Sequence, residues 1–376
     1  MIIFKGHWMI CSLFGHQPLI CCHRMENQRV FVVSEKFFKT AATNLVATTD
    51  NPFGYGMMYS LCAFPLRRIL PERRELTSSA WYGENIFDSG SGEMVNESSL
   101  MKVDELFKHV TGSQKGIGYG IVKILAVNVP GAVIYMTDTH NCMLRDSLRK
   151  LDAELGKSMK AEVRIHQLDI TNLFSINKFF EHLKAEHGGF DVLVNNAGIR
   201  FNNQLDETLN QARLTIATNY EGTKLVSQQL FPLMRDGGRV VNIASRSGTI
   251  RSYDPQIKAK LSDKALTIAD VDAYVQDFLT AFENNECASK GYPKSSYRVS
   301  KTTLILLARI WARQLAQRRI VVNACCPGYV NTDMSRGMNS PLTIEQGAST
   351  PAYLATLQGD EPNGEFVYLK KVVPWY

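Results

Sequence analysis

The stretch TGSQKGIG, residues 111–118, decides how this chain folds and where it would bind a ligand. Gly112, Gly116 and Gly118 allow a tight turn and a close approach of the backbone to a pyrophosphate, whose charge would lie at the N-terminus of the next helix. A helical pattern, YGIVKILAVNV, follows directly. Because three glycines at such spacing also occur by chance, the turn is informative only if strands and helices surround it.

Apolar runs of strand length alternate with amphipathic runs of helix length from about residue 106 onward. The strand-like runs are AVIYMT (132–137), EVRIHQL (162–168), FDVLVNN (190–196), RVVNIAS (239–245), RIVVNACC (319–326) and EFVYLK (365–370). Helical patterns lie between them, for example over 172–187 and 209–234. Near-continuous apolar strands joined by helices predict a parallel sheet covered on both faces. We therefore predict an α/β, doubly wound parallel sheet of Rossmann type, whose ligands bind beyond the carboxyl ends of the strands.

The first hundred residues have a different character. They show no sustained period of 3.6 or 2, and they end in the polar run DSGSGEMVNESS (88–99). We therefore divide the chain into an N-terminal extension of unknown structure, residues 1–100, and the α/β domain, residues 101–376. The extension is predicted either to be disordered or to be an artefact of an erroneous gene model.

The first strand of the α/β domain has an unusual sequence. VDELFKHV (103–110) precedes the glycine turn where an apolar run is expected, so Lys108 and His109 fall at positions that should be buried. Burying an unpaired lysine is costly. Three explanations stay open: an irregular strand, a wrongly joined N-terminal region, or replacement of the strand by VFVVS (30–34).

Composition excludes several classes of function. The net charge of +6 comes with no block of lysines and arginines, so no nucleic-acid partner is expected. The eight cysteines form no CxxC pair, which argues against a metal site and suits reduced thiols in the cytoplasm. No run of ~20 apolar residues is present, so no membrane span is expected.

A tyrosine and a lysine four residues apart are the first candidates for chemistry. In GYPKSSYRVSK (291–301), Tyr297 and Lys301 would share one helix face, where the ammonium favours the phenolate form. Tyr220 and Lys224 have the same spacing. The spacing alone therefore does not choose between the two pairs.

Further polar and small residues stand at the ends of the predicted elements. NNAG (195–198) closes one strand, Ser245 ends the next, and PGYVNTDM (327–334) follows a third. Asn219 lies within a predicted helix, although asparagine is a poor helix former. Each feature has an ordinary structural explanation, but their order along the chain is specific.

In that order they resemble a short-chain dehydrogenase/reductase, specifically the monomeric carbonyl reductase branch. The resemblance covers about residues 110–376 and includes DVLVNNAGI (191–199), TNYEGT (218–223), YRVSK (297–301), NACCPGYVNTDM (323–334) and GEFVYLKKVVPW (364–375). It implies a catalytic tetrad, which is Asn219, Ser245, Tyr297 and Lys301. Because the family's catalytic tyrosine follows the serine strand, the resemblance selects Tyr297 over Tyr220.

The resemblance also implies a reaction, the reduction of aldehydes, ketones or quinones to alcohols with a hydride from a nicotinamide. Tyr297 would protonate the carbonyl oxygen, and Ser245 would orient it. Lys301 would lower the tyrosine pKa and contact the nicotinamide ribose, while Asn219 would position a water that relays protons. Tyr329 is expected to join Ser245 in contacting the substrate.

The expected cofactor contacts lie in the glycine turn, at the ends of the strands and after the PG turn. They are Gly112, Ser113, Lys115, Gly116, Ile117, Gly118, Asp138, Asp169, Ile170, Asn196, Ala197, Gly198, Tyr297, Lys301, Pro327, Gly328, Val330 and Thr332. Lys115 favours NADPH because it would contact the 2′-phosphate. Asp138 favours NADH, since NADPH-preferring relatives usually place an arginine there. We predict NADPH, with NADH as the alternative.

Two other functions stay open at this stage. Asp138 would suit an NAD-dependent alcohol dehydrogenase, and the unusual first strand would suit a catalytically silent nucleotide-binding regulator. The long interval between Ser245 and Tyr297 contains a helical pattern at 263–285. In the carbonyl reductase branch a similar insertion covers a face used for oligomerisation, so the resemblance implies a monomer acting on a small carbonyl compound.

Overall fold

The computed structural model describes residues 106–201, 206–335 and 340–376, together with three strands near the N-terminus. The chain divides into two compact units, Met1–Glu93 and Met94–Tyr376. In the first unit, three strands pair antiparallel in chain order: β1 (Trp8–Ser12), β2 (Leu19–Arg24) and β3 (Val30–Ser34). The polar linker expected at 88–99 lies outside the described residues.

The second unit contains an eight-stranded sheet. Its strands are β4 (Phe107–Val110), β5 (Val133–Asp138), β6 (Glu162–Gln167), β7 (Phe190–Asn195), β8 (Met234–Ile243), β9 (Val321–Cys326), β10 (Phe366–Tyr368) and β11 (Lys371–Val372). Their order across the sheet is β11-β10-β9-β8-β7-β4-β5-β6. Strands β4 to β10 are parallel and β11 is antiparallel to β10. The predicted doubly wound sheet is confirmed.

Helices connect these strands. They are α1 (Gly116–Asn128), α2 (Asn141–Leu155), α3 (Leu173–His187), α4 (Leu209–Ile216), α5 (Thr223–Leu230), α6 (Pro255–Ser262), α7 (Ile268–Glu283), α8 (Ser296–Gln314) and α9 (Ile344–Ala355). Side chains of α1, α2 and α9 form the apolar core on one face of the sheet. Those of α3, α4, α5, α7 and α8 form the core on the other face. Because both faces are covered, the inner strands are mostly apolar, as in VIYMTD of β5 and FDVLVN of β7.

Helix α8 is buried over most of its surface. Fourteen of its nineteen residues are buried, among them the large side chain of Trp311. The insertion after Ser245 supplies α6 and α7, and apolar residues of α7 belong to the same core as those of α8. The helical pattern predicted at 263–285 therefore forms a helix that covers α8 within this chain.

The first strand takes its expected place despite its sequence. β4 pairs in parallel with β5 on one side and β7 on the other, while Val30–Ser34 pairs with β2 in the other sheet. The alternative that VFVVS (30–34) replaces this strand is therefore wrong. Lys108 and His109 are both almost completely buried.

Both polar side chains of β4 reach the helix layers. The ammonium of Lys108 donates a hydrogen bond of 3.4 Å to the carbonyl of Ala355 at the end of α9, and burial lowers its pKa to about 8. The ring of His109 lies 4.6 Å from that of Phe179 in α3, and its Nε2 is 2.9 Å from Thr137 Oγ1. Burial lowers the His109 pKa to about 3. The strand thus keeps regular pairing at an electrostatic cost.

Candidate active site

The site lies where the strand order reverses. On one side β4 pairs with β5, the next strand in the sequence, whereas its other neighbour, β7, comes three strands after β4. Helices after β4 and β7 consequently leave on opposite faces, and a crevice opens beyond the carboxyl ends of these strands. The glycine turn follows β4 and the NNAG segment follows β7, so the two predicted ligand-binding segments are neighbours.

The glycine turn is packed too closely for any side chain at two of its positions. A Cβ at Gly118 would lie 2.5 Å from the side-chain Nδ2 of Asn196 and 2.6 Å from the carbonyl oxygen of Gly112. A Cβ at Gly112, where φ is +59°, would lie 2.7 Å from Cα of Ala197. The residues therefore fit a cofactor whose pyrophosphate needs close backbone approach at the start of α1.

Asn196 and Ala197 are tied to the same turn by hydrogen bonds. The Asn196 side chain donates to the carbonyls of Thr111 and Gly112 at 2.9 and 2.8 Å. The amide groups of Asn196 and Ala197 both donate to the hydroxyl of Thr111 at 2.9 Å. Asn196 thus shapes the floor of the crevice with its side chain.

Ser113 lies in the turn but faces inward. Its side chain is completely buried, and its hydroxyl donates to the carbonyl of Val110 at 2.9 Å. Its amide donates to the carbonyl of Thr137 at 3.0 Å. These bonds join β4 to β5 and favour a structural role, so a cofactor contact by Ser113 stays a prediction.

Lys115 is the charged group of the turn. It precedes α1 and is exposed, and its ammonium lies 2.9 Å from Oδ2 of Asp333 in the segment after β9. The Cβ position of Gly116 is 3.5 Å from Cγ2 of Thr332 in the same segment. The structure therefore brings the predicted contacts from PGYVNTDM against the glycine turn.

The remaining predicted cofactor residues line the same edge of the sheet. Asp138 ends β5, and its Oδ1 accepts a hydrogen bond of 2.8 Å from the amide of Thr139. Asp169 follows β6, and its carboxylate accepts from the amide and the hydroxyl of Thr171 at 2.9 and 2.7 Å. Ile170 is buried, and its Cγ1 lies 3.0 Å from the position that a Cβ on Gly222 would take. The rest lie in the turn or after β7 and β9, namely Ile117, Gly198, Pro327, Gly328 and Val330.

Tyr297 and Ser245 lie near each other in the crevice. Tyr297 lies in the first turn of α8, and Ser245 follows the end of β8. Burial raises the pKa of Tyr297 to about 12, while the positive charge of Arg200 and the nearby Ser245 hydroxyl act in the opposite direction. The Ser245 hydroxyl also accepts a hydrogen bond of 2.9 Å from the Ser247 hydroxyl. The phenol is therefore protonated at neutral pH in this structure.

Lys301 is buried directly behind Tyr297. Its ammonium donates a hydrogen bond of 2.7 Å to the carbonyl of Ile243 and lies 5.6 Å from the centre of the Tyr297 ring. Burial lowers the Lys301 pKa to about 8. Burial dominates the Tyr297 pKa in this structure, and the lowering of that pKa by Lys301 stays a prediction.

Asn219 is explained by a change in helix type. The pattern at 209–234 predicts one continuous helix, but the structure has a π-helical segment, Ala217–Gly222, between α4 and α5. The wider turn holds Asn219, whose side chain accepts from the amide of Ile199 at 2.7 Å and donates to its carbonyl at 2.9 Å. A third bond of 3.0 Å reaches Ser300. π-helical turns of this kind occur mainly at functional sites.

Comparisons with known proteins show to which family this chain belongs. The short chain dehydrogenase family matches residues 108–255, and a profile described as enoyl-(acyl carrier protein) reductase matches residues 280–361. Carbonyl reductase (NADPH) 1 of Sus scrofa is 40% identical over 277 residues, which cover 71% of this chain and 93% of that protein. The chain belongs to the short-chain dehydrogenase/reductase family. The similarity to carbonyl reductases places it in that branch.

Other members of the family share the fold. Carbonyl reductase (NADPH) 3 of Rattus norvegicus is 39% identical over 277 residues, 71% of this chain and 97% of that protein. Salutaridine reductase from Papaver somniferum superposes with a TM-score of 0.63 at 27% identity, over 70% of this chain and 100% of that one. Menthone neomenthol reductase from Mentha piperita gives 0.61 at 26% identity, over 70% and 98%.

Tyr220 and Lys224 have a structural role. Their spacing is the same as that of Tyr297 and Lys301. The Tyr220 hydroxyl donates a hydrogen bond of 2.6 Å to Oδ1 of Asp272 in α7, and the Lys224 ammonium binds the same oxygen. Burial raises the Tyr220 pKa far above its ordinary value. The pair anchors the insertion helix to α5 and its preceding turn.

Sequence reasoning missed Arg200 as a member of this short-chain dehydrogenase site. It follows NNAGI after β7, and its guanidinium carbon lies 5.1 Å from the centre of the Tyr297 ring. The only available signal was a charged residue two positions beyond the predicted NNAG turn.

Within the described residues, no group of histidine, cysteine or acidic side chains could hold a metal. The same part of the chain has no helix long and apolar enough to cross a membrane.

Proposed function

We propose that this chain reduces aldehydes, ketones or quinones to alcohols with NADPH, and that Tyr297 is the general acid. The observation that carries the proposal is the convergence of three side chains at one end of the sheet. Ser245 follows β8, Tyr297 lies in the first turn of α8, and the buried Lys301 ammonium lies 5.6 Å from the centre of the Tyr297 ring and 2.7 Å from the carbonyl of Ile243. The relatives named carbonyl reductase (NADPH) support the reaction and the cofactor. An NADPH-bound member of the fold, a blue fluorescent protein from a metagenomic library, is 25% identical.

The residues of the site would have separate roles in a carbonyl reduction. Ser245 and Tyr297 would both donate hydrogen bonds to the carbonyl oxygen, where negative charge develops as the reaction proceeds. Tyr297 would then transfer its proton to that oxygen. The nicotinamide, when bound, supplies the hydride. These groups are preorganised, because α8 is fixed in the core and Ser245 is held at the end of β8.

Lys301 and Asn219 would restore the proton of Tyr297. The two side chains are neighbours, since a Cβ on Gly198 would lie 3.0 Å from Oδ1 of Asn219 and 3.8 Å from the Lys301 ammonium. With a pKa of about 8, Lys301 can exchange a proton near neutral pH. We infer that Asn219 binds a water molecule through which protons pass between Lys301 and bulk solvent.

The cofactor contacts are assigned to the residues of the crevice edge. The glycine turn would hold the pyrophosphate, Lys115 the 2′-phosphate, and Asp169 the adenine. Thr332 lies against the glycine turn, and Val330 lies in the same segment as Thr332. Together with Pro327 and Gly328, they would contact the nicotinamide end of the cofactor. Tyr329 is exposed beside that turn and would contact an apolar part of the substrate.

We further propose that the enzyme is a cytoplasmic monomer with residues 1–100 as an accessory extension. The monomer is supported by α7, whose apolar residues cover α8 in the same chain. Asp138 supports the one competing activity, an NAD-dependent alcohol dehydrogenase, because a carboxylate at this position would accept a hydrogen bond from a ribose 2′-hydroxyl.

The decisive experiment is cofactor oxidation by the full chain with menadione or an aromatic aldehyde, using NADPH and NADH in parallel. We expect oxidation that depends on the carbonyl compound and is faster with NADPH. Tyr297→Phe provides the control for background oxidation. Cofactor binding without turnover of any carbonyl compound would instead support the silent nucleotide-binding regulator.

A further inference from the structure

Arg200 places a positive charge beside the reacting hydroxyl groups. Its guanidinium carbon lies 5.1 Å from the centre of the Tyr297 ring, and its charge acts on the phenol. The residue is exposed, and none of the described residues accepts a hydrogen bond from it. The ring contact orients the guanidinium, and no described residue occupies its N–H donors, which can therefore bind a ligand.

Arg246 brings a second guanidinium to the same crevice. It follows Ser245 directly, and its guanidinium carbon lies 5.2 Å from the centre of the Tyr368 ring. Tyr368 in turn borders the substrate turn, since a Cβ on Gly328 would lie 3.7 Å from its Cε2. Arg246 is also exposed, and within the described residues it has no hydrogen-bond acceptor.

Other charged residues near the start of α8 are already hydrogen-bonded or ion-paired within the protein, in contrast to Arg200 and Arg246. Arg298, one residue after Tyr297, donates to the carbonyl of Ser247 at 3.3 Å and to the hydroxyl of Ser252 at 2.8 Å. The carboxylate of Glu207 is occupied by Ser296, whose amide donates to it at 3.0 Å. Asp206 is paired with Lys294 at 3.1 Å. The described acids near the start of α8 therefore do not neutralise Arg200 or Arg246.

We propose that Arg200 and Arg246 bind a carboxylate on the substrate, so that the preferred substrates are aldehydes or ketones that also carry a carboxylate. The inference rests on the proposed carbonyl reduction and names its substrate class. Guanidinium groups bind carboxylates through paired, charge-assisted hydrogen bonds. Their position next to Tyr297 and Ser245 would orient the carbonyl toward the two hydroxyl groups, while Tyr329 contacts the apolar part of the same substrate.

The test compares two aldehydes that differ in one charge. The kcat/KM for 4-carboxybenzaldehyde is divided by that for its methyl ester, methyl 4-formylbenzoate, and the 2- and 3-substituted isomers are measured in the same way. The ratio is determined for the full chain and for Arg200→Gln, Arg246→Gln and the double variant. Arg149→Gln, an exposed substitution on α2, is the matched control. The ratio cancels any general effect of Arg200 on Tyr297 and any difference in intrinsic reactivity of the aldehydes.

We expect the acid-to-ester ratio to fall by about tenfold to a hundredfold in the double variant for at least one isomer, and to be unchanged in Arg149→Gln. Turnover of the esters with ratios that stay within twofold in all variants would overturn the inference and leave the proposed reaction standing. If no aldehyde is reduced, the proposed reaction fails. Calorimetric binding of monomethyl terephthalate then decides the anion site: weaker binding to the double variant supports it, and equal or absent binding overturns it.

Discussion

The ammonium of Lys115 lies 2.9 Å from Oδ2 of Asp333, which joins the glycine turn after β4 to the segment after β9. Both side chains are half or more exposed, so the pair is screened by water and contributes at most about 1 kcal/mol. A cofactor phosphate with its higher charge can therefore compete with Asp333 for Lys115. We therefore expect cofactor choice to depend on Lys115.

Lys115→Ala should raise the KM for NADPH by about tenfold to a hundredfold and that for NADH far less. A charge-assisted phosphate contact is worth roughly 1.5–3 kcal/mol, and NADH lacks the 2′-phosphate. Steady-state kinetics with both cofactors measure the difference. Lys123→Ala in α1, a lysine paired with Glu154, is the control and should change neither KM appreciably. Equal effects of Lys115→Ala on both cofactors would show that Lys115 does not contact the phosphate.

Asp138→Arg should improve the use of NADPH relative to NADH by about tenfold. The substitution removes a carboxylate that would repel the 2′-phosphate and adds a group that binds phosphate. The ratio of kcat/KM for the two cofactors measures the effect. An unchanged ratio would mean that the Asp138 side chain points away from the ribose.

Tyr297→Phe should reduce turnover by at least about 100-fold, because it removes the proton donor and keeps the ring. The control is Tyr220→Phe, which should keep turnover near that of the unmodified chain. It should, however, lower the free energy of unfolding by about 1 kcal/mol, since the hydrogen bond to Asp272 is lost. Kinetics and thermal unfolding of both variants separate these effects. An inactive Tyr220→Phe with an active Tyr297→Phe would move the active site to the other pair.

The fold should lose stability as the pH falls below about 6.5 because His109 is buried uncharged. Its folded pKa of about 3 lies below the value of 6.5 in the unfolded chain, so the unfolded state binds a proton that the folded state does not. The loss from this residue is about 1.4 kcal/mol per pH unit between these values. Urea unfolding at pH 7 and pH 5 measures it.

His109→Leu should remove most of that pH dependence, whereas His140→Gln at an exposed position should leave it unchanged. The pKa values of His166 and His187 are also lowered by burial, so a smaller dependence of the same sign should persist. A slope in His109→Leu equal to that of the original chain would assign the acid sensitivity to other groups.

A chain that begins at Met101 should bind the cofactor and retain turnover within a few-fold of the full chain. The predicted catalytic and cofactor residues all lie beyond residue 110, and β4 fills the centre of the sheet without the extension. Limited proteolysis of the full chain should cut first between about residues 84 and 104, since exposed polar linkers are preferred cleavage sites. Insoluble truncated protein without cofactor binding would show that the boundary is wrong.

The sequence by itself determined the sheet, the family and the order of the site residues. Alternation of apolar strands with amphipathic helices requires that both faces of a parallel sheet be covered, and this pattern is local enough to be read from the chain. The position of Tyr297 after the serine strand, rather than its spacing to Lys301, distinguished it from Tyr220. Those features depend on neighbouring residues or on chain order, which the sequence contains.

Only the tertiary structure decided which residues far apart in the sequence form hydrogen bonds and ion pairs or shift one another's pKa values. The turn at Asn219 is π-helical, and the Asn219 side-chain amide donates hydrogen bonds to Ile199 and Ser300, which lie outside this turn. Tyr220 and Lys224 are structural because α7 places Asp272 beside them. Burial raises the Tyr297 pKa and lowers that of Lys301, and Arg200 reaches the phenol from the end of another strand. Desolvation and Coulomb interaction depend on three-dimensional surroundings, which no local pattern encodes.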